Sequence, residues 1–244
     1  DATRDSGKTS ASRQTFVSGN AARYAGMDLK GKLLRILGAP GNALLTVDGS
    51  ALRARAAGLT WQLDLETIEA DSDGNVAVGE GYFDPPTTPL DADGQGSPYA
   101  TYGFAAQIAE VEVDGELGTT KVLHIHAAHD VGRAINPTQV EGQIHGGIAQ
   151  GLGMALMEEY VAGRTDNLHD YLIPTIGDVP PITTYLIEDP EPLGPYGAKG
   201  VGEPALIPTA PAILNAIRHA TGLRMTQLPV TPSRLREAIL ERRA

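Results

Sequence analysis

The run from Asp130 to Gly153 constrains the fold more than any other stretch of this chain. Asn136 can accept a free N–H of a first helical turn, Pro137 has no N–H to leave unpaired at the first helical position, and Gln139 falls at a capping-box position. The spacing predicts a helix from there to about Tyr160. At about 100° per residue, Val140, Ile144, Ile148, Leu152 and Ala155 share one side, and Gln139, Gln143, Gly146, Gln150 and Gly153 share the other. A solvated face would carry Lys and Glu, and a mid-helix glycine costs about 1 kcal/mol relative to alanine. A face of amides and glycines leaves two readings. Either another backbone packs very closely there, or a flat polar molecule lies against the helix with Gln143 as donor and acceptor.

The second constraining stretch is Gly197-Ala198-Lys199-Gly200-Val201-Gly202-Glu203-Pro204. Its glycines permit backbone angles closed to other residues and let a bound group approach. Pro204 biases Glu203 toward an extended conformation, so its carboxylate should stand clear of the turn as a candidate general base. Short glycine motifs recur by chance, and on spacing alone an ordinary strand-to-helix loop with a solvated glutamate is the commoner reading.

Around these stretches the chain reads as follows. A small polar opening, Asp5 to Ser12, feeds a helix through Phe16, Ala21, Leu33 and Leu37, with Ser10 or Ser12 as its cap and its first N–H groups open to an anion. Gly19, Gly26 and Gly31 inside it make sense if another element packs closely. Short strands are expected around Leu44–Val47, Leu59–Trp61 and Val76–Val78, with Asp-Gly turns at Asp48-Gly49 and Asp73-Gly74. The Pro-, Gly- and Asp-rich stretch from Asp84 to Pro98 is the expected boundary, dividing the chain into parts 1–98 and 99–244. Ala106 to Val113 alternates and is followed after Gly115 by a second strand from Lys121 to Ala128, which predicts a hairpin. His124 and His126 share a strand face, but no third ligand at metal spacing accompanies them or His129, so all three read as core or surface histidines. A weak strand at Ile182–Ile187, a helix from Thr209 stopped by Gly222 and a final helix starting at Thr231-Pro232 complete the chain. There is no internal repeat.

Composition narrows the function. Nineteen basic against thirty acidic residues give a net charge of −11 over 244 residues, which opposes nucleic acid and anionic membranes. With no cysteine there are no disulfides, no thiolate metal sites and no iron–sulfur cluster held by this chain alone. No apolar run reaches membrane-spanning length and no signal-peptide pattern opens the chain, so a cytoplasmic protein is expected. Starting at Asp1 rather than Met, the polypeptide is expected to be a processed or split piece of something larger.

Three motifs together carry a resemblance: Thr9-Ser10-Ala11-Ser12-Arg13; Asp130 to Pro137 continuing through Gln139-Val140-Glu141-Gly142-Gln143 to Gln150-Gly151-Leu152-Gly153; and Gly197 to Pro204. In this order they resemble the C-terminal part of the molybdopterin-binding large subunit of the xanthine dehydrogenase and aldehyde oxidase family. The resemblance spans nearly the whole chain and is loosest between Gly38 and Pro98. It implies an α+β fold of mixed short sheets with long packed helices, and a molybdenum hydroxylase that inserts water-derived oxygen into an electron-poor C–H of an N-heterocycle or aldehyde. It implies that Ser10, Ala11, Ser12, Gln143, Lys199, Gly200 and Gly202 bind the pterin cofactor, and that Glu203 is the base beside molybdenum. The implied cofactor is molybdopterin, alone or as its cytosine dinucleotide, with the metal held by the pterin's dithiolene.

One departure bears on assembly. The family's Met-Gly-Gln-Gly cofactor loop is absent, and Gly94-Gln95-Gly96 matches it only superficially, without the methionine and inside the long loop. The resemblance therefore implies half of a molybdenum site, completed by the remaining part of the large subunit, with a 2Fe-2S small subunit and an FAD subunit as electron-accepting partners in a hetero-oligomer. Two rivals stand beside it: a non-catalytic assembly subunit of the same fold, and a stand-alone glycine-rich binding domain.

Overall fold

The computed structural model describes residues 7–243, apart from the side chain of the last of these. Asp5 and Ser6 of the polar opening lie outside the described residues. The chain divides into two compact units, one containing Gln14–Pro98 and the other Gly7–Arg13 with Tyr99–Ala244. Among the described residues, no helix is long and apolar enough to cross a membrane.

In the first unit a π-helical turn, Gln14–Ser18, leads into α1 (Gly19–Ile36). Ser18 precedes α1 without a side-chain cap, and neither Ser10 nor Ser12 caps it. Three antiparallel strands follow, β1 (Leu44–Asp48), β2 (Ala51–Ala56) and β3 (Leu59–Asp64), paired in that order. Leu34, Ala43 and Ala54 form their small core with Leu45, Ala56 and Trp61. The expected strand at Val76–Val78 is absent. That segment lies along α1 instead, where Lys32 donates to the Val78 carbonyl at 2.8 Å. A side chain on Gly79 or Gly81 would strike the α1 backbone near Ala21 and Ala25. The close approach expected at the helix's own Gly26 and Gly31 is thus made by glycines of the opposing segment; an added Cβ at Gly26 would meet nothing.

The second unit is built on a sheet ordered β4 (Ala105–Val113), β5 (Thr120–Asp130), β6 (Ile182–Ile187). β4 and β5 form the expected antiparallel hairpin, and β6 joins β5 in parallel, which requires a crossover. α2 (Pro137–Leu156) is that crossover. Its start is as expected: Asn136 is extended and accepts the Gln139 N–H at 3.2 Å. Its end comes at Leu156 rather than Tyr160, because Met157 and Glu158 both donate to the Gly153 carbonyl and Val230 N–H takes the Ala155 carbonyl at 2.7 Å. α3 (Thr209–Thr221), closed by Gly222 at φ 73°, and α4 (Pro232–Arg243) complete the unit. The core joins Ile125 and Ala127 of β5 to Ile144, Ile148 and Leu152 of α2, Ile213 and Ile217 of α3, and Leu235 of α4. The molecule is α+β, as expected.

Close approach of another backbone to α2 is made at Gly147 and Gly151, neither of which is among the residues that set the expected glycine- and amide-rich face. Gly147 and Gly151 give close packing: a Cβ on Gly147 would come within 2.6 Å of the Ala205 Cβ, and one on Gly151 would collide with Thr209. Gly142 and Gly146, beside exposed Gln139, Gln143 and Gln150, would meet nothing within 4 Å. Gly153, expected on the open face, is buried, and its missing side chain leaves room for Glu158 to fold back.

Candidate active site

The site is assembled at the C-terminal end of β5. Leaving that strand, Val131 takes the Lys199 N–H on its carbonyl at 3.0 Å, Gly132 pairs with Ala198, and Arg133 N–H donates to the Gly197 carbonyl at 2.8 Å. The Gly197–Lys199 turn is thereby laid antiparallel along residues 131–133. Gly132 is required here: φ is +64°, and a side chain would collide with the Gly197 carbonyl.

Beneath this pairing Lys199 Nζ meets Asp130 Oδ2 at 2.6 Å, each side chain only 8 % exposed. The other Asp130 oxygen accepts the Gly132 N–H at 3.1 Å. Lys199, expected among the cofactor-binding residues, thus turns its ammonium inward and ties the glycine-rich turn to the end of β5.

The next residues meet the Ser10–Ser12 segment, far away in sequence. A side chain on Gly200 would strike the Ser12 carbonyl. Ser12 Oγ accepts the Glu203 N–H at 2.8 Å, and Ala11 N–H donates to Glu203 Oε1 at 3.2 Å. These contacts replace the expected capping role of Ser12. Ala11 and Ser12 hold positive φ angles of 51° and 53°, a conformation costing on the order of 1–2 kcal/mol for each non-glycine residue. Ser10, exposed, accepts Arg13 N–H on its carbonyl at 3.1 Å. Gln143 reaches the same place from α2: its Oε1 is 3.8 Å from where a Cβ on Gly202 would lie, and Ser12 Oγ is 3.5 Å from that point. Ser12, Gln143, Gly202 and Glu203 therefore converge, with the Glu203 carboxylate exposed. Glu203 is not merely an extended stub before its proline, because its carbonyl accepts Leu206 N–H at 3.0 Å and opens a series of turns leading to α3.

The three histidines lie elsewhere on the sheet. His124 and His126 stack at 4.3 Å on the outer face, bonded to Thr183 and Glu110 respectively. His129 is buried, and desolvation lowers its pKa below the ordinary 6.5. Among the described residues no group of three or more His, Asp or Glu could hold a metal ion.

This donor set suits a flat, polar organic group rather than a bare cation: hydroxyl, amide and carboxylate converge beside an open shelf at Gly142 and Gly146. A sequence profile of the molybdopterin cofactor-binding domain matches residues 1–180. The chain belongs to that family. It is 33 % identical over 243 residues, 97 % of its length, to an aldehyde oxidoreductase of Megalodesulfovibrio gigas. Over 140 residues, 55 % of its length, it is 41 % identical to a putative xanthine dehydrogenase molybdenum-binding subunit of Escherichia coli. It spans 24 % of the first relative and 19 % of the second. The crystal structure of the aldehyde oxidoreductase from Desulfovibrio desulfuricans superposes on 97 % of the chain with a TM-score of 0.74 and 31 % identity, the match covering 24 % of that protein.

Sequence reasoning assigned no role to Asp130, Gln107 or Thr209. Asp130 opens its motif but meets Lys199 only in the folded chain, and the other two become visible only when β4 and α3 are side by side.

Proposed function

We propose that this molybdopterin-binding chain presents the catalytic base and one wall of the cofactor site of a molybdenum hydroxylase. The enzyme would insert water-derived oxygen into an electron-poor C–H of an N-heterocycle or aldehyde and pass electrons to iron–sulfur and flavin partners. The observation that carries this reading is the double hold on Glu203. Ser12 fixes its backbone and Ala11 fixes one carboxylate oxygen, and Gln143 stands alongside.

The roles follow from these contacts. Gln143 and the Ser10–Ser12 segment would hydrogen-bond the pterin or its cytosine dinucleotide, while Gly202 keeps side-chain atoms out of the space in front of Ser12. When bound, the molybdenum–pterin group supplies two-electron redox chemistry. With Oε1 occupied by the Ala11 N–H, Oε2 of Glu203 would take the proton of the water-derived nucleophile and later return it to solvent. Parts 1–98 and 99–244 together form a partial molybdopterin-binding domain. The rest of the large subunit, a 2Fe-2S chain and an FAD chain complete the enzyme. Consistent with assembly into complexes, one relative, from Paenarthrobacter nicotinovorans, is the gamma subunit of a 6-hydroxypseudooxynicotine dehydrogenase complex.

The test is Glu203→Gln in the assembled enzyme. Turnover should fall by about 10²–10⁴-fold with molybdenum and pterin content unchanged. Near wild-type turnover would reject Glu203 as the base.

A further inference from the structure

The segment that carries Glu203 is also held from its far side. Gln107 projects from β4, and its Nε2 donates to the Ala205 carbonyl at 3.0 Å while its Oε1 accepts the Thr209 hydroxyl at 2.7 Å. Ala205 and Thr209 are both fully buried. The Ala205 carbonyl can only accept, so it must face the amide's NH₂. The remaining amide hydrogen points at His129 Nε2, 3.2 Å away. That nitrogen must therefore carry a lone pair, which makes His129 a neutral ring protonated on Nδ1, consistent with its burial. A single carboxamide thus meets a carbonyl, a hydroxyl and one imidazole nitrogen, while the other ring nitrogen, Nδ1, is buried without a hydrogen-bond partner.

The backbone it grips has nowhere else to go. Gly147 of α2 presses on Ala205 and Leu206, and Gly151 presses on Thr209. Between Ala205 and the base lies only Pro204, and the Leu206 N–H bond to the Glu203 carbonyl closes the turn. Movement of Ala205 is therefore transmitted to Glu203 through a short, stiff link.

We propose that Gln107 is a positioning residue for Glu203, clamping the Ala205 carbonyl so that the Glu203 turn keeps its carboxylate beside Ala11 and Gln143. The proposal rests on the reading of Glu203 as the base. Gln107→Met fills similar volume without polar atoms. Gln107→Glu keeps the length and the Thr209 bond, but loses the donor to Ala205.

Both variants are to be made in the assembled enzyme and read two ways. Hydrogen exchange of the Glu203 and Leu206 amides should quicken about tenfold, the size expected for one lost hydrogen bond. The kcat per bound molybdenum should fall about ten- to a hundredfold with KM unchanged, as misplacement of a reacting group does. Combined with Glu203→Gln, Gln107→Met should cost no further rate, since its effect passes through the missing carboxylate. Wild-type exchange, or wild-type kcat per molybdenum in both variants, would overturn the clamp, as would full additivity in the double variant. Wild-type turnover of Glu203→Gln alone would overturn the base assignment and the catalytic part of the clamp with it. Faster exchange in the Gln107 variants would then identify the base reading, not the clamp itself, as what failed.

Discussion

Replacing Lys199 by methionine should be among the most damaging single substitutions outside the apolar core. Methionine matches the lysine stem in length and bulk but leaves the Asp130 carboxylate, 8 % exposed, without its counter-ion 2.6 Å away. The Gly132 N–H still bonds one Asp130 oxygen, but a single neutral donor does not compensate a buried charge. Breaking one partner of a buried pair costs about 3–5 kcal/mol. At roughly 2–4 °C per kcal/mol for a chain of this size, the thermal midpoint of the assembled protein should drop by about 6–20 °C. Adding Asp130→Asn should recover much of that loss, because the asparagine oxygen can keep the Gly132 bond while the stranded charge disappears. Differential scanning calorimetry of wild type, both single variants and the double variant measures the cycle. A Lys199→Met midpoint equal to wild type would show that the pair is effectively solvated. A double variant as unstable as Lys199→Met alone would show that the damage is steric rather than electrostatic.

Gly151→Ala should destabilise by about 1–3 kcal/mol, because its Cβ would overlap Thr209, whereas Gly142→Ala on the open face should be neutral or stabilise by up to about 1 kcal/mol; urea denaturation compares them. Asn136→Ala removes the acceptor for the Gln139 N–H and should cost about 1 kcal/mol by the same measurement. His129, held neutral by burial, binds fewer protons folded than unfolded, so stability should fall as pH drops below its ordinary 6.5 and keep falling down to its depressed pKa; His129→Leu should flatten that slope in thermal melts taken across the range.

Local rules made much of this protein legible from its residues. The start of α2 is set by Asn136, Pro137 and the Gln139 N–H, the β4–β5 hairpin by alternation around a turn, and the end of α3 by Gly222; each depends on neighbours a few residues apart. The candidate site residues were likewise visible as motifs, since hydroxyls, glycines and a lone carboxylate are conspicuous wherever they sit. What the residues could not reveal was which glycine faces what. Gly26 has the look of a close-approach position and faces open space, while Gly79 and Gly81, just beyond the stretch 76–78 expected as strand, make that contact.

Chain-local chemistry thus determined the helix start, the hairpin, the acidic cysteine-free character and the family motifs of this protein. Tertiary structure decided that Lys199 turns inward to Asp130, that Ser12 holds Glu203 instead of capping a helix, and that Gln107 reaches Ala205. The reason is one of range. Capping and periodicity act within a few residues, whereas those contacts join groups 69, 191 and 98 positions apart, which meet only after β5, α2 and α3 have packed.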